Sequence, residues 1–168
     1  MLNPSSPLAA LLDAPARPGV VRWIGVRPQR RLPLVAVPEV ALDPQLGLDG
    51  DHYAGRGSRN RQVTLIAAEQ LVAIASYLGL DRIEPGRLRR NLVVAGFNLH
   101  GLKGHALRVG DAVLEVTGDC HPCSRMEAEF GPGGYNAVRG HGGVTARILA
   151  GGMVRLGDAL SRVIPMRA

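Results

Sequence analysis

The run Thr117-Gly-Asp-Cys-His-Pro-Cys-Ser-Arg-Met-Glu127 gathers two cysteines, a histidine and an arginine. An alternating apolar stretch precedes it and a helical pattern follows, with Pro122 suited to the first helical position, where a missing N–H costs nothing. Cys123 then falls in the first turn, beside free backbone N–H groups and the positive end of the helix dipole. His121 and Arg125 add positive charge. In such surroundings a thiol serves as a nucleophile or metal ligand. Cys120 reads instead as a small buried apolar residue. A structural zinc site needs two further ligands, and the spacing matches no finger or ribbon. A thioredoxin-like pair needs a βαβ setting, which a chain of short strands does not provide.

Other candidates carry weaker signals. Gly47-Leu-Asp-Gly-Asp-His-Tyr-Ala-Gly-Arg56 puts an acid, a histidine and an arginine in a glycine-rich turn. Asp51 can simply anchor that turn through its own backbone, and His52 is more simply structural than catalytic. Arg87, Arg89 and Arg90 before Asn91 read as a solvated strand edge that discourages sheet pairing, with an anion grip as the alternative. Residues 131–143 are glycine-rich and long for a connection, the mark of a functional or mobile loop. They do not fit a dinucleotide fingerprint, because counting from Gly140 the third required glycine falls on Thr145.

The elements that must position these groups are mostly short strands, predicted at 20–26, 34–42, 62–66, 88–94, 106–109, 112–117 and 153–156. One segment is clearly helical. Leu71, Ile74, Ala75 and Leu78 fall at i, i+3, i+4 and i+7 within 67–78, and Gly79 ends the pattern. A second, short helix is predicted at 122–130. Arg108-Val-Gly-Asp-Ala-Val113 and Arg155-Leu-Gly-Asp-Ala-Leu160 echo each other, each with Gly-Asp at a tight hairpin turn. Together the strands suggest a sheet closed as a small barrel, a mainly β fold with one amphipathic helix and short peripheral helices. Residues 1–18 read as an arm or short surface helix, and 19–168 as a single domain.

Composition narrows the chemistry. With 168 residues and 46% hydrophobic content the chain is one ordinary domain with a real core. Lys103 is the sole lysine among 20 basic residues. It is followed by Gly104 and His105, so there is no Walker phosphate loop, and it is the lone candidate for a pyridoxal Schiff base. The arginines supply planar forks for phosphate or carboxylate. A net charge of +6 raises nucleic acid, yet six aromatic residues and scattered arginines give no sign of sequence reading. No apolar run approaches a membrane span, and the reducing cytoplasm is the expected compartment.

In order and spacing, a set of short motifs resembles the MOSC domain, the module named after the C-terminal domain of molybdenum cofactor sulfurases, and especially its small bacterial stand-alone members. The motifs are Gly47-Leu-Asp-Gly-Asp51, Arg61-Gln-Val-Thr-Leu-Ile66, Asn91-Leu-Val-Val94, Val109-Gly-Asp-Ala-Val-Leu-Glu-Val116, Pro122-Cys-Ser-Arg125, Gly142-Gly-Val-Thr-Ala-Arg147 and the pair Gly151-Gly152 and Gly157-Asp158. They cover about residues 20–160.

The resemblance implies a barrel-like β fold and matches Cys123 to the family's key cysteine. That cysteine either carries sulfur as a persulfide or binds the molybdenum of the pterin cofactor (molybdopterin). It also implies a cofactor phosphate held by polar motif positions, here Arg61, Asn91, Ser124, Arg125 and Arg147. The implied activity is reduction of N-hydroxylated small molecules, with electrons from a donor protein, or sulfur transfer between a donor and an acceptor protein. The family often carries Gly-Glu-Asn-Leu where this chain has Arg89-Arg-Asn-Leu92, which predicts a more cationic pocket. No pyridoxal phosphate is expected on this chain. The alternative class is a basic binding module for nucleic acid or other anions, without chemistry.

Overall fold

The computed structural model describes residues 6–14, 17–53 and 58–164, so Arg56 of the glycine-rich turn lies outside the described residues. Seven strands close into a barrel: β1 (Gly19–Val26), β5 (Val63–Ala67), β6 (Leu92–Ala95), β7 (Ala106–Val109), β8 (Ala112–Asp119), β9 (Val144–Ala150) and β11 (Ala159–Arg162). The ring runs β1-β11-β7-β8-β9-β5-β6 and back to β1. The short β2 (Val35–Ala36) attaches to β1, while β3 (Glu39–Asp43), β4 (Gly47–Leu48) and β10 (Gly152–Arg155) form a small separate sheet. The fold is mainly β, as the sequence predicts.

Alternation sets the barrel interior. In β8, Ala112, Leu114 and Val116 point inward and are buried, while the residues between them are half-exposed. In β5 and β6 both faces are covered: Leu65, Leu92 and Val94 fill the barrel, and Ile66 and Val93 pack outward. These two strands are a parallel pair, joined through helix α2 (Ala68–Tyr77), which accounts for their continuous apolar sequence. The outer layer comprises α2, α3 (Ser124–Phe130) and α4 (Gly134–Val138), which bury Leu71, Ile74, Met126 and Val138 against the barrel wall. Replacing the fully buried Ile74 by alanine would cost about 2–5 kcal/mol. A further helix, α1 (Pro7–Asp13), lies before β1, and its Leu12 carbonyl accepts a hydrogen bond from Arg162.

Several sequence predictions need correction. The predicted strand 34–42 is two strands divided around Pro38, whose nitrogen has no proton for a ladder. Residues 88–94 begin as a 3-10 turn (Pro85–Leu88) and a left-handed Arg89, so the strand starts at Leu92. Gly110-Asp111 does turn the hairpin between β7 and β8. Gly157-Asp158 does not turn a hairpin, because β10 pairs with β3 whereas β11 pairs with β7 and β1. Strands β4, β9 and β11 and helix α4 were not predicted. Pro122 does not open a helix: α3 begins two residues later, with Cys123 as its N-cap.

Candidate functional site

One end of the barrel carries a cavity of about 270 Å³, and most of the chemistry-bearing residues meet there. Its frame is a polar brace. The Asp51 carboxylate accepts from the backbone N–H of Arg27 (2.7 Å) and of Tyr53 (3.2 Å), pinning the glycine-rich turn to the end of β1. Asn91, at the start of β6, accepts at Oδ1 from Thr64 N–H (3.1 Å) and Thr64 Oγ1 (2.8 Å). Its Nδ2 donates to the Gly25 carbonyl (3.2 Å) and Asp51 Oδ1 (3.5 Å). Asn91 therefore lines the wall with its amide committed to β1, β5 and the turn, which makes it a positioning residue.

The segment after β8 supplies the thiols. Cys120 is buried; its N–H donates to the Gly143 carbonyl (2.8 Å), and its sulfur accepts from Arg61 Nη2 (3.8 Å). The close passage demands Gly142 and Gly143: a Cβ at the first would meet the Cys120 carbonyl oxygen at 2.1 Å, and one at the second the Leu65 oxygen at 2.0 Å. Residues 131–143 are therefore a helix and a buried glycine pair rather than one long loop. Cys123, exposed, faces the same cavity from the N-cap of α3.

Arginines form much of the remaining wall, in three distinct states. Arg90 is buried and donates to the carbonyls of Gly142 (2.7 Å), Leu88 (2.6 Å) and Cys120 (3.3 Å), so it is a structural clamp. Burial lowers its pKa from the ordinary arginine value. Arg61 and Arg125 are exposed at the rim, within reach of the cavity. Arg27 and Arg89 each bury one nitrogen, Nε and Nη2 respectively, with no hydrogen-bond partner. Arg27 Nη2 lies 3.4 Å from His52 Nδ1, and His52 lies 3.7 Å from the Asp51 carboxylate. The solvated strand edge expected for Arg87, Arg89 and Arg90 is thus overturned, because none of the three is in a strand and Arg90 is buried.

The structure brings together Cys123, Arg61, Asn91 and Arg125, but not the other two residues proposed from sequence. Ser124 is exposed on α3 and is not part of the cavity wall. Arg147 lies across from Glu115 in the β8–β9 ladder and pairs with its carboxylate, Nε to Oε2 at 3.1 Å, away from the cavity. Arg27 was missed. It follows an ordinary strand, and its role appears only when the Asp51 turn folds onto it. No group of three or more His, Cys, Asp or Glu side chains among the described residues is placed to hold a metal ion; of the two thiols on the cavity wall, Cys123 is exposed and Cys120 is buried.

Fold and site together define a small closed-barrel protein that presents an exposed thiol to an arginine-walled pocket. The MOSC domain profile matches residues 52–161, and the chain belongs to the MOSC domain family. Among solved structures it is similar to the YuaD protein of Bacillus subtilis, with a TM-score of 0.77 and 19% identity over 89% of this chain and 98% of the other. It is also similar to YiiM of Geobacillus stearothermophilus, with a TM-score of 0.69 and 21% identity over 88% and 76% of the two chains. YiiM of Escherichia coli gives 0.66 and 19% over 89% and 72%. At these identities the likeness establishes a shared fold. Comparison with curated proteins gives no match.

Proposed function

We propose that this protein binds the molybdenum cofactor with the Cys123 sulfur on the metal and reduces N-hydroxylated compounds. The observation that carries this reading is the meeting, in one cavity, of an exposed thiol and the unpartnered buried Nε of Arg27. The donor set fits the group. A single soft sulfur suits the metal, and the guanidinium forks of Arg27, Arg61 and Arg125 suit the cofactor's terminal phosphate. When bound, the cofactor supplies two-electron redox chemistry at its metal. The chain's own residues orient and exclude: Asp51 and Asn91 hold the wall, Met126 closes it with apolar surface, and Arg90 fixes the Cys120 segment.

The overall reaction breaks one N–O bond, consumes two electrons and two protons, and releases water with the corresponding amine, or the amidine where the substrate is an amidoxime. The electrons come from a donor protein, because the described residues carry no iron–sulfur ligand set. Proton-bearing groups on the cavity wall are His52, Tyr53 and His121. A persulfide carrier would need the exposed Cys123 but would give the buried Arg27 nitrogen no partner. A non-catalytic anion-binding module would give Cys123 no role.

The test is protein from cells that make the cofactor, assayed with an amidoxime and reduced methyl viologen as electron donor. Amidine should form with wild type and not with Cys123→Ser. Cyanide-releasable sulfur on Cys123 with no amidine formed would replace this reading with the carrier.

A further inference from the structure

Arg89 differs from the other arginines of the site. Its backbone is left-handed, with φ of 62°, a conformation that long side chains rarely adopt. Its Nη2 is sealed from solvent without a partner. Burial first, then the charges of Arg27 and Arg125, lower its pKa from the usual arginine value, offset in part by Cys123 and Glu129. No carboxylate among the described residues forms an ion pair with it, whereas the adjacent Arg90 donates to three carbonyls. A left-handed backbone, a buried unpartnered nitrogen and like-charge neighbours thus coincide at one residue. Such a coincidence marks a site that a ligand relieves.

Its position says which ligand. A second cavity, about 550 Å³, lies beside the first and shares Leu34, Arg89, Arg125 and Met126 with it. Cys123 is not on its wall. Of the other two arginines on its wall, Arg87 pairs with Glu129 (2.7 Å) and lies 4.6 Å over the Phe130 ring, and Arg31 is exposed. Arg89 and Arg125 are the two that stand on the partition between the chambers.

We propose that Arg89 is a specificity-determining residue that receives an oxyanionic group, a carboxylate or phosphate, of a substrate lying in the second cavity. The protein then acts on anionic compounds. The substrate role rests on reading the Cys123 cavity as the reaction centre; the oxyanion contact itself does not.

The first arm uses cofactor-free protein titrated with inorganic phosphate by calorimetry. Arg89→Gly and Arg89→Met should each weaken phosphate binding roughly ten- to hundredfold, while Cys123→Ser leaves it unchanged. Without phosphate, Arg89→Gly should raise Tm by roughly 2–5 °C, because it removes both the left-handed strain and the buried charge. Arg89→Met retains the strain and should gain less. In the second arm, phosphate should still bind cofactor-loaded protein, and KM should be about tenfold lower for 4-carboxybenzamidoxime than for benzamidoxime, a preference that Arg89→Met abolishes. Phosphate binding indifferent to Arg89, or absent from wild type, overturns the proposal. Phosphate binding lost on cofactor loading would assign the site to the cofactor's own phosphate and overturn the substrate role. Arg89-dependent phosphate binding in a protein that reduces no amidoxime would instead sink the reductase reading and leave the oxyanion contact standing.

Discussion

At the scale of single residues, the candidate site separates groups that build the cavity from groups that face it. Asn91 belongs to the first kind, since its amide bridges β1, β5 and the Asp51 turn from a buried position. Asn91→Ala would leave several buried groups without partners and should cost about 2–4 kcal/mol, read from the urea midpoint. Arg147→Ala breaks a half-exposed pair with Glu115; it should cost no more than about 1 kcal/mol and leave cofactor content at the wild-type level. The place of Cys123 on the cavity wall follows from a local signal, a thiol among polar and glycine neighbours just before a helix. The places of Arg27 and Arg89 do not, because they arise where distant segments meet. Arg147 misled for the converse reason: its place in a motif says nothing of the Glu115 that a strand register sets opposite it.

At the scale of elements, α3 and α4 hold the Cys123 segment against the barrel. Glu127 of α3 joins them, accepting from the N–H groups of Gly133 (2.9 Å) and Tyr135 (2.8 Å) at the start of α4. Those two bonds hold its carboxyl below the usual glutamate range. The sign follows directly. A carboxylate with a lowered native pKa adds stability above the unfolded-state value and loses it as pH falls through the native value. Tm of wild type should therefore exceed that of Glu127→Gln at neutral pH, and the gap should close as pH falls below the ordinary carboxylate range. A gap that is constant from pH 7 to pH 3 would show that the bonds do not depend on charge.

Gly143→Ala should be more severe, costing more than about 3 kcal/mol, because its Cβ would press on the Leu65 carbonyl oxygen from a left-handed backbone, φ of 81°. Strands with clean alternation, such as β7 and β8, were readable from sequence, and so was α2 from its apolar stripe. The loss of 88–91 to a 3-10 turn and a left-handed residue was not readable, because Leu88 and Leu92, which flank Arg89-Arg90-Asn91, serve different layers, the helix layer and the barrel.

At the scale of the whole molecule, the barrel has two separate cores, one inside the ring and one beneath the helices. The cavity opens where β1, the start of β6 and the segment after β8 come together. The arginine surplus that the composition suggests as a nucleic-acid question resolves into distinct uses: Arg90 clamps carbonyls, Arg87 and Arg147 pair with carboxylates, and Arg27, Arg61, Arg89 and Arg125 line the cavity.

If Cys123 holds the molybdenum cofactor in this cavity, as proposed, the cofactor should be lost with its thiol. Metal and pterin analysis of wild type beside Cys123→Ala, both purified from cells that make the cofactor, measures this. Molybdenum and pterin should occur together in wild type and both be lost from the variant, with the fold intact by circular dichroism. Equal molybdenum and pterin in the two proteins, or neither in wild type, would contradict it.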